Sequence, residues 1–368
     1  MVNIDICINK EGLVSDIKGK DYVIFDEIKS QGEKWVSILE KYQKEETNLL
    51  QNLKEYSVIY FLGSGSSYNN ALMAEFANNK LFEKRSYAIN SSEYLFNPDA
   101  FIKPGDKNNK VFVISRTGET SDTMLAMGIL KKLDFFLISL TTFPESSISR
   151  NSNVLINLQD CKEQSVTSNR VVSSITLFLL CLFFKLSGKE AILQKINDYS
   201  INFFTRFDDY CMNISTIING SDFNKFVFLG TGPFHSIARE ASLKTREMSI
   251  TDTEFWPTLE YRQGYMTNVD ENDLAIVFLS KINIDFQFKT CMELKRAGAK
   301  VLIVNDRVRL GDYKKFYDYE FNVDLGVEDE LLCQVYYQLF GQLIGYYQAL
   351  KKNIDPSNPK NLDYIVRI

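Results

Sequence analysis

Two short turns rich in serine and threonine are the first candidates for chemistry in this sequence. Residues 63–68 (GSGSSY) and 115–123 (SRTGETSDT) each lie between an apolar run and a segment with helical spacing. Such a turn points backbone N–H groups and the positive end of a helix at an anion, although a serine-rich turn can also be a simple helix cap. The first turn alone leaves these two interpretations evenly balanced.

The second turn shifts the balance toward anion binding. In an open parallel sheet, ligands bind outside the carboxyl ends of the strands, so both turns are expected to address one phosphate group. Neither turn matches a Walker P-loop or a GxGxxG fingerprint, which argues against ATP and NAD. The sequence therefore favours a small phosphate ester as the ligand.

Three charged residues further along the chain fall on one helical face. Glu240, Lys244 and Glu247 are spaced by four and three residues, so their side chains project from the same side of a helix. A stripe of this kind is most often a solvated, salt-bridged surface. On spacing alone, that is the interpretation we favour.

The chain has a single histidine, His235, which lies in a glycine turn shortly before Glu240. A lone histidine is usually structural. It is nevertheless the one side-chain type here whose unperturbed pKa lies near neutrality, so His235 is a candidate acid or base.

The elements that must position these residues alternate between short apolar runs and helical patterns, which is typical of a parallel sheet. The pattern occurs twice, and the segments YFLGSG at residues 60–65 and VFLGTG at 227–232 indicate an internal repeat. Strands are predicted at residues 58–62, 111–115, 135–140, 226–230, 274–280 and 300–304, and helices at 68–81, 120–132, 235–248 and 286–296.

Other segments frame this repeat. Residues 26–56 have the spacing of a helical lead-in, and the apolar run 171–186 predicts a buried helix. Residues 191–218 look helical and would connect the two copies. The last residues, 353–368, contain two prolines and predict an extended tail, either packed on the body or loose.

The composition limits the classes of function. The chain has 368 residues and a formal net charge of −5 without a basic run, which opposes binding to nucleic acid. Its six cysteines form no CxxC pair, so we expect reduced thiols and no metal site. The start lacks the apolar core of a signal peptide, and no run is long enough to span a membrane. A cytoplasmic protein is expected.

The turns and the charged helix also resemble a known family. GSGSSYNNAL at 63–72, ISRTGETSDT at 114–123 and EQSVTSNRVVSS at 163–174 resemble the three sugar-phosphate segments of SIS (sugar isomerase) domains, in the same order. Residues 230–249 resemble the catalytic helix of a second such domain. The chain is most similar to the isomerase half of glucosamine-6-phosphate synthase and to related amino-sugar-phosphate deaminases and ketose/aldose isomerases.

This resemblance implies roles for individual residues. Glu247 would move the proton between adjacent sugar carbons, while Lys244 and Glu240 would orient the substrate and tune Glu247. Thr167 and Ser168 would lie near the sugar hydroxyls, and an N-cap role for them is equally consistent with the sequence. The phosphate contacts would be Ser67, Ser115, Thr117 and Thr120, with Ser64, Ser66 and Arg116 beside them.

Two positions depart from the family pattern. Gln263 stands where the family has the histidine thought to open the sugar ring, and glutamine cannot shuttle a proton. Tyr364 stands where the synthase supplies a lysine from its tail, unless Lys360 replaces that lysine from a shifted register. Because of Gln263, we consider His235 as a replacement acid or base.

The resemblance also sets the expected domains and partners. It implies an α/β fold of two tandem SIS-type domains, each a parallel sheet flanked by helices in three layers, and a homodimer. With Val2 in place of a cysteine nucleophile, no glutaminase is expected within the chain, although a separate glutaminase subunit is conceivable. The expected boundaries are 1–55 (helical lead-in), 56–190 (first domain), 191–352 (second domain, with the catalytic helix at 235–250) and 353–368 (tail).

The expected function is isomerisation or deamination of a hexose or hexosamine 6-phosphate, without a metal or cofactor. Two alternatives stay open. One is a non-catalytic sugar-phosphate sensor or partner subunit. The other is a deglycase that acts on amine adducts of sugar phosphates.

Overall fold

The computed structural model describes residues 22–53, 56–103 and 108–368. Its ten strands form two parallel five-stranded sheets flanked by helices, which confirms the predicted α/β class. The strands are β1 Ile59–Gly63, β2 Ser86–Asn90, β3 Lys110–Ile114, β4 Phe136–Thr141, β5 Val154–Asn157, β6 Lys225–Gly230, β7 Asp252–Trp256, β8 Asp273–Phe278, β9 Lys300–Asn305 and β10 Tyr319–Asn322.

The helices cover both sheets and join them. Those of two turns or more are Val23–Lys29, Gln31–Asn52, Ser66–Leu81, Ser121–Lys132, Arg170–Leu186, Leu193–Phe204, Phe207–Asn219, His235–Ser249, Ile284–Arg296 and Gln338–Lys351. Shorter α-helical turns lie at Ser91–Phe96, Pro98–Phe101, Ser147–Arg150 and Cys333–Tyr336.

Both sheets have the same topology. The first has the order β2-β1-β3-β4-β5 and the second the order β10-β9-β8-β6-β7. In each sheet the chain enters at an inner strand, adds one strand on one side, and then adds the remaining three on the other side. The direction of winding reverses between β1 and β3 in the first sheet, which is where ligands bind in folds of this kind. The two hydroxyl-rich turns follow these two strands.

The central strands were predicted, but four edge strands were not. β1, β6 and β8 are buried along their whole length, and such strands give the continuous apolar runs that the sequence shows. The edge strands β2, β5, β7 and β10 are short and only partly buried, so their sequences mix polar and apolar residues.

The predicted buried helix is confirmed as Arg170–Leu186, in which every residue from Val171 to Phe184 is buried. It lies in a hydrophobic cluster that contains side chains from both sheets, including Phe61 of β1 and Phe228 of β6. The two halves therefore share a core.

The predicted catalytic helix, His235–Ser249, packs closely against Gln338–Lys351. A Cβ added at Gly341 would meet the Cβ of Ala241 at 2.4 Å, so only glycine permits this approach of the two backbones. The same catalytic helix also contacts Ser66–Leu81 of the first half. This contact brings the charged face and the first hydroxyl-rich turn together.

The two ends of the chain pack on this body where they are described. The lead-in consists of Val23–Lys29 and Gln31–Asn52, while the part of it before Tyr22 lies outside the described residues. The tail is packed rather than loose, because Val366 O accepts a hydrogen bond from Ser121 N at 3.2 Å and Ser357 O accepts one from Val166 N at 2.8 Å. Over the described ranges, the longest apolar helices fall short of what a membrane crossing requires.

Candidate functional site

A cavity of about 320 Å³ opens at the reversal point between β1 and β3. The two hydroxyl-rich turns form one side, the catalytic helix contributes its charged face, and the tail closes the cavity with Leu362, Asp363, Tyr364 and Val366. Of the predicted site residues, those lining the cavity are Ser64, Ser66, Ser67, Ser115, Arg116, Thr117, Thr120, Ser168, Lys244 and Glu247.

The three serines of the first turn differ in what their hydroxyls do. Ser64 Oγ donates to Asp122 Oδ2 at 2.6 Å. The Ser66 hydroxyl opposes the rise of the pKa of the Glu240 carboxyl group. The Ser67 hydroxyl has no side-chain partner among the described residues and lines the cavity in the first turn of Ser66–Leu81. Ser67 is therefore the serine available to an anion at this helix N-terminus.

In the second turn, too, some hydroxyls are hydrogen-bonded within the protein and another is not. Ser115 Oγ accepts a hydrogen bond from Gly118 N at 3.1 Å, and Thr117 Oγ1 accepts one from Glu119 N at 3.2 Å. These two hydroxyls act as acceptors within the turn, so each can still donate a hydrogen bond to a ligand. Thr120 is the N-cap residue of Ser121–Lys132, yet its side chain makes no capping bond. Its hydroxyl is available to the cavity.

A matched pair of variants tests this distinction. We expect Ser67→Ala to weaken binding of fructose 6-phosphate about 10-fold or more, because a hydrogen bond to a charged group contributes about 1.5–3 kcal/mol. Ser64→Ala should weaken it less, since the Ser64 hydroxyl is already committed to Asp122. Calorimetric titration measures both affinities. Equal losses in the two variants would contradict the assignment.

The charged face of the helix His235–Ser249 is buried. The prediction of a solvated surface, which rested on the spacing of its charged residues, is therefore wrong. The side chains of Glu240 and Lys244 are each 2% exposed and that of Glu247 is 17% exposed. Lys244 Nζ lies 2.5 Å from Glu247 Oε2 and 3.6 Å from Glu240 Oε1. One ammonium group thus bridges two carboxylates, and only Glu247 and Lys244 reach the cavity.

Glu240 anchors this arrangement to the first half of the protein. Its Oε2 accepts a hydrogen bond from Asn69 Nδ2 at 2.6 Å, and Asn69 Oδ1 in turn accepts one from Arg239 Nε at 2.7 Å. Asn69 belongs to the helix that carries Ser67. The turn that contains Ser67 and the charged face of the helix His235–Ser249 are therefore fixed relative to each other.

Burial and neighbouring charges shift the pKa values of Glu240 and Lys244, and the net effect keeps Lys244 charged. Burial raises the pKa of Glu240, although Lys244 and the Asn69 hydrogen bond oppose that rise. Burial alone would lower the pKa of Lys244, but the carboxylates of Glu247 and Glu240 raise it above its ordinary value. Lys244 therefore presents a permanent positive charge next to Glu247.

Arg116 lines the cavity, but its guanidinium group is engaged with the tail. Arg116 Nη2 donates to Tyr364 O at 3.1 Å, Nη1 donates to Ser165 O at 3.2 Å, and the guanidinium carbon lies 4.2 Å from the centre of the Tyr364 ring. Tyr364 Oη donates to Glu163 O at 2.8 Å. Arg116 and Tyr364 thus hold the tail over the cavity.

The N-cap role considered for Thr167 and Ser168 is wrong. The helix Arg170–Leu186 is capped instead by Glu163, whose Oε1 accepts hydrogen bonds from Asn169 N at 2.8 Å and Arg170 N at 2.7 Å. A carboxylate satisfies two free amides at a positive helix end better than a hydroxyl does. Ser168 lines the cavity, whereas Thr167 Oγ1 is buried without a hydrogen-bond partner among the described residues.

Glu163 is an unusual cap, because its other oxygen, Oε2, is buried with no described hydrogen-bond partner. Burial and the nearby Glu27 carboxylate raise the pKa of Glu163 from 4.5 to about 7, although Arg116 and the amide hydrogen bonds oppose this. A carboxyl group with a raised pKa in the folded state stabilises the fold only while it is protonated. Its contribution is complete below about pH 4.5 and is lost as the pH rises through 7.

Glu163→Gln is therefore expected to stabilise the protein at pH 8 by about 1–3 kcal/mol and to flatten the dependence of stability on pH between 5 and 8. Glutamine keeps an oxygen for the two amides and carries no charge. Urea unfolding at several pH values measures this, with Glu271→Gln at an exposed position as the control. An unchanged slope in Glu163→Gln would contradict the assignment.

Two predicted residues lie away from the cavity in this chain. His235 precedes Glu247 by twelve residues, about 18 Å along a helix axis. Its ring packs near Phe255 at 6.1 Å, and burial together with Arg239 lowers its pKa. Gln263 is an exposed residue that follows a 3₁₀ turn at Glu260–Arg262. Within one chain, neither residue lines the cavity that Glu247 reaches.

Lys360 is also outside this cavity, so it does not take the place of Tyr364 within it. As for metals, the ranges that the structure describes contain no group of three or more His, Cys, Asp or Glu side chains arranged to hold an ion.

The sequence of this chain is similar to those of known proteins. Residues 53–183 match the SIS domain family model. The glutamine–fructose-6-phosphate aminotransferase (isomerizing) of Wigglesworthia glossinidia brevipalpis is 26% identical over 335 residues, which are 86% of this chain and 52% of that protein. The chain thus spans about half the length of the curated relatives it matches.

Solved structures share the fold over nearly the whole chain. Glucosamine-6-phosphate deaminase from Thermotoga maritima is 25% identical, with a TM-score of 0.74 over 94% of this chain and 99% of that one. Tagatose-6-phosphate ketose/aldose isomerase from Escherichia coli is 16% identical and supports the fold alone, with a TM-score of 0.80 over 92% and 95% of the two chains. Residues 53–183 therefore match the SIS domain family, and the chain is similar over most of its length to proteins named as aminotransferases, deaminases and isomerases of phosphorylated sugars.

Proposed function

We propose that this protein is an enzyme that isomerises or deaminates a hexose or hexosamine 6-phosphate, of the fructose 6-phosphate or glucosamine 6-phosphate class. The observation that carries the proposal is the single cavity in which two hydroxyl-rich turns face a carboxylate paired with a buried ammonium group. The names of the relatives support the same class of substrate.

The phosphate group is held at the ends of β1 and β3. Ser67 and Thr120 offer hydroxyls that make no described side-chain hydrogen bond, and each lies at the N-terminus of a helix, where the helix dipole favours an anion. Ser115 and Thr117 supply further hydroxyls. The phosphate thereby fixes one end of the sugar and directs its carbonyl end toward the catalytic helix.

Glu247 transfers the proton between the two reacting carbons. It accepts the proton from the carbon next to the carbonyl group and returns it to the neighbouring carbon, which is general acid–base catalysis by a carboxylate. Lys244 orients Glu247 through their 2.5 Å contact, and its positive charge stabilises the negative charge that develops on the sugar oxygen. Glu240 holds Lys244 in place from behind.

A second candidate is a sugar-phosphate sensor that binds without turnover. It is favoured by one observation: neither His235 nor Gln263 lines the cavity, so neither of the residues considered for opening the sugar ring lies beside Glu247 in this chain. Substrates that reach the site as open chains do not need such a group. Catalysis at Glu247 therefore stays our first choice.

The assembly and location belong to the same proposal. We expect a cytoplasmic homodimer, in which a second copy could bring His235 or Gln263 toward the cavity. Where the reaction requires an amino group, we expect free ammonia or a separate glutaminase subunit to supply it.

The test is to incubate the purified protein with fructose 6-phosphate, glucose 6-phosphate and glucosamine 6-phosphate and to follow sugar interconversion and ammonia. Conversion of one of them would support the enzyme and identify the reaction. Tight binding without conversion of any of the three would favour the sensor. An absence of binding would contradict both candidates.

A further inference from the structure

Arg239 is next to Glu240 on the helix His235–Ser249, but it does not line the cavity that Glu247 reaches. Its guanidinium group is partly buried, and Nε donates a hydrogen bond to Asn69 Oδ1 at 2.7 Å. A charged group inside a protein is usually paired with a group of opposite charge. The choice of a neutral amide as the partner of Arg239 indicates that the amide itself has a task.

The Asn69 amide lies between a carboxylate and a guanidinium group. Its Nδ2 donates to Glu240 Oε2 at 2.6 Å, and the Asn69 side chain is 1% exposed. A carboxylate can only accept hydrogen bonds and a guanidinium group can only donate them. One orientation of the amide satisfies both, whereas the reversed orientation would place Oδ1 against the Glu240 carboxylate. Arg239 therefore determines which end of the amide faces Glu240.

Two aromatic rings hold Arg239 in this position. Its guanidinium carbon lies 5.2 Å from the centre of the Tyr68 ring and 5.0 Å from the centre of the Phe255 ring. A guanidinium group is attracted to the face of an aromatic ring, and two such rings restrict the directions of its N–H groups. Tyr68 directly follows Ser67 in the first half of the chain, and Phe255 belongs to β7 in the second. Arg239 thus contacts both halves.

The charge of Glu240 depends on the groups around it. Burial raises its pKa, the ammonium group of Lys244 and the Asn69 hydrogen bond lower it, the charge of Glu247 raises it, and the Ser66 hydroxyl lowers it. The two groups that face Glu240 from the helix Ser66–Leu81 are therefore both uncharged. Asn69 is the nearer of them in effect, and its donation keeps the buried carboxylate ionised.

Charged side chains on the other elements packed against this helix are engaged elsewhere. The helix Gln338–Lys351 approaches through Gly341, and β7 lies on the opposite side. Their charged residues form these pairs: Lys351 with Asp222, Asp252 with Arg246, and Glu254 with Lys225. Across the cavity, Arg116 acts on Lys244 and opposes the rise of its pKa.

We infer that Arg239 is a positioning residue that acts on the proton transfer through Asn69. It holds the Asn69 amide so that Glu240 stays ionised. The ionised Glu240 in turn holds Lys244 beside Glu247. This inference rests on the proposed function, in which Glu247 moves the proton, and it adds a residue that touches neither the sugar nor the reacting atoms.

Loss of Arg239 would leave the amide free to turn. With Oδ1 toward Glu240, the hydrogen bond that lowers the pKa of Glu240 is lost, so that pKa rises further. Glu240 would then bind a proton at a pH at which the native carboxyl group is ionised, and it would no longer attract Lys244. Turnover in such a variant should therefore require a higher pH.

Arg239→Met tests this, because methionine is close to arginine in length and donates no hydrogen bond. At pH 7 we expect kcat to fall about 10- to 100-fold and KM to change less than about 3-fold, with the acid limb of the kcat profile moved to higher pH. Arg239→Lys, which can still donate to Asn69 Oδ1, should give an intermediate rate and profile. The substrate is whichever of fructose 6-phosphate, glucose 6-phosphate and glucosamine 6-phosphate the native protein converts.

Arg206→Met is the matched control. Arg206 makes the same kinds of contact away from the cavity, since Nη1 donates to Asn322 O at 2.8 Å and the guanidinium carbon lies 5.2 Å from the centre of the Tyr210 ring. Its loss removes a comparable structural contact and should leave kcat and the pH profile unchanged.

A second measurement does not depend on turnover. The titration of Glu240 is followed by ¹³C NMR of carboxyl-labelled glutamate in the unliganded full chain, with Glu240→Gln identifying its signal. We expect Arg239→Met to raise the pKa of Glu240 and Arg206→Met to leave it unchanged.

The outcomes separate this inference from the proposed function. A lower kcat in Arg239→Met with an unchanged pH profile and an unchanged Glu240 titration would overturn the inference, because Arg239 would then act on packing alone. Native kinetics in Arg239→Met would overturn it as well. If the native protein converts none of the three sugars, the proposed function fails, while the Glu240 titration still supports or overturns the link from Arg239 to Glu240.

Discussion

Replacing Glu247 with glutamine is expected to lower turnover of the sugar phosphate about 10²- to 10⁴-fold while changing its binding little. Glutamine has nearly the same shape as glutamate, and its oxygen can still accept a hydrogen bond from Lys244 Nζ, which lies 2.5 Å from Glu247 Oε2 in the native protein. It cannot accept and return a proton. The loss should therefore appear in kcat with little change in KM.

Steady-state kinetics with the substrate that the native protein converts measures this effect. Glu271→Gln, at an exposed position outside the cavity, is the matched control and should retain full activity. Turnover in Glu247→Gln within a few-fold of the native rate would rule out Glu247 as the group that moves the proton.

Lys244→Ala is expected to lower the free energy of unfolding by about 3–5 kcal/mol as well as to abolish turnover. The Lys244 ammonium group is the cation that lies between Glu240 and Glu247, and the side chain of Glu240 is 2% exposed. Without Lys244, a buried carboxylate would lose its charge partner, which is among the costliest changes a fold can undergo. Urea unfolding at pH 7 measures the loss.

Adding Glu240→Gln to Lys244→Ala should recover part of that stability but none of the turnover. The second change removes the unpaired buried charge, while an amide at position 240 can still accept the hydrogen bond from Asn69 Nδ2. A double variant no more stable than Lys244→Ala alone would show that the loss arises from packing and not from charge.

The sequence revealed the middle of each sheet better than its edges. β1 and β8 are buried on both faces, and a strand of this kind is apolar throughout, so it stands out without any alignment. β5 and β10 lie at sheet edges with partly exposed residues, and no local feature distinguishes them from loops. The sheet order β2-β1-β3-β4-β5 depends on these edge strands and could not be derived from the sequence.

The candidate site shows a similar division. Helical spacing placed Glu240, Lys244 and Glu247 on one face, but it could not show whether that face meets water or protein. The answer depends on Asn69, which lies about 170 residues away in sequence and hydrogen-bonds to Glu240. Here the family resemblance supplied what periodicity could not.

Other roles depend on contacts that no local pattern encodes. No local pattern indicates that the Ser64 hydroxyl is committed to Asp122 while the Ser67 hydroxyl lacks a described side-chain partner. Glu163 caps Arg170–Leu186 from seven residues before that helix begins, through an irregular turn, so no local sequence pattern identifies it as the cap. The left-handed conformation of Ile250 runs against residue preference and was not foreseeable.

Hydrogen exchange with solvent tests the central claim most directly. The protein is incubated in D₂O with fructose 6-phosphate, glucose 6-phosphate or glucosamine 6-phosphate, and deuterium in the sugar is located by NMR. Our account predicts that deuterium enters at a carbon next to the carbonyl group with at least one of these sugars, and that Glu247→Gln prevents it. If none of the three saturating sugars acquires deuterium, the protein does not carry out the proton transfer that we assign to Glu247.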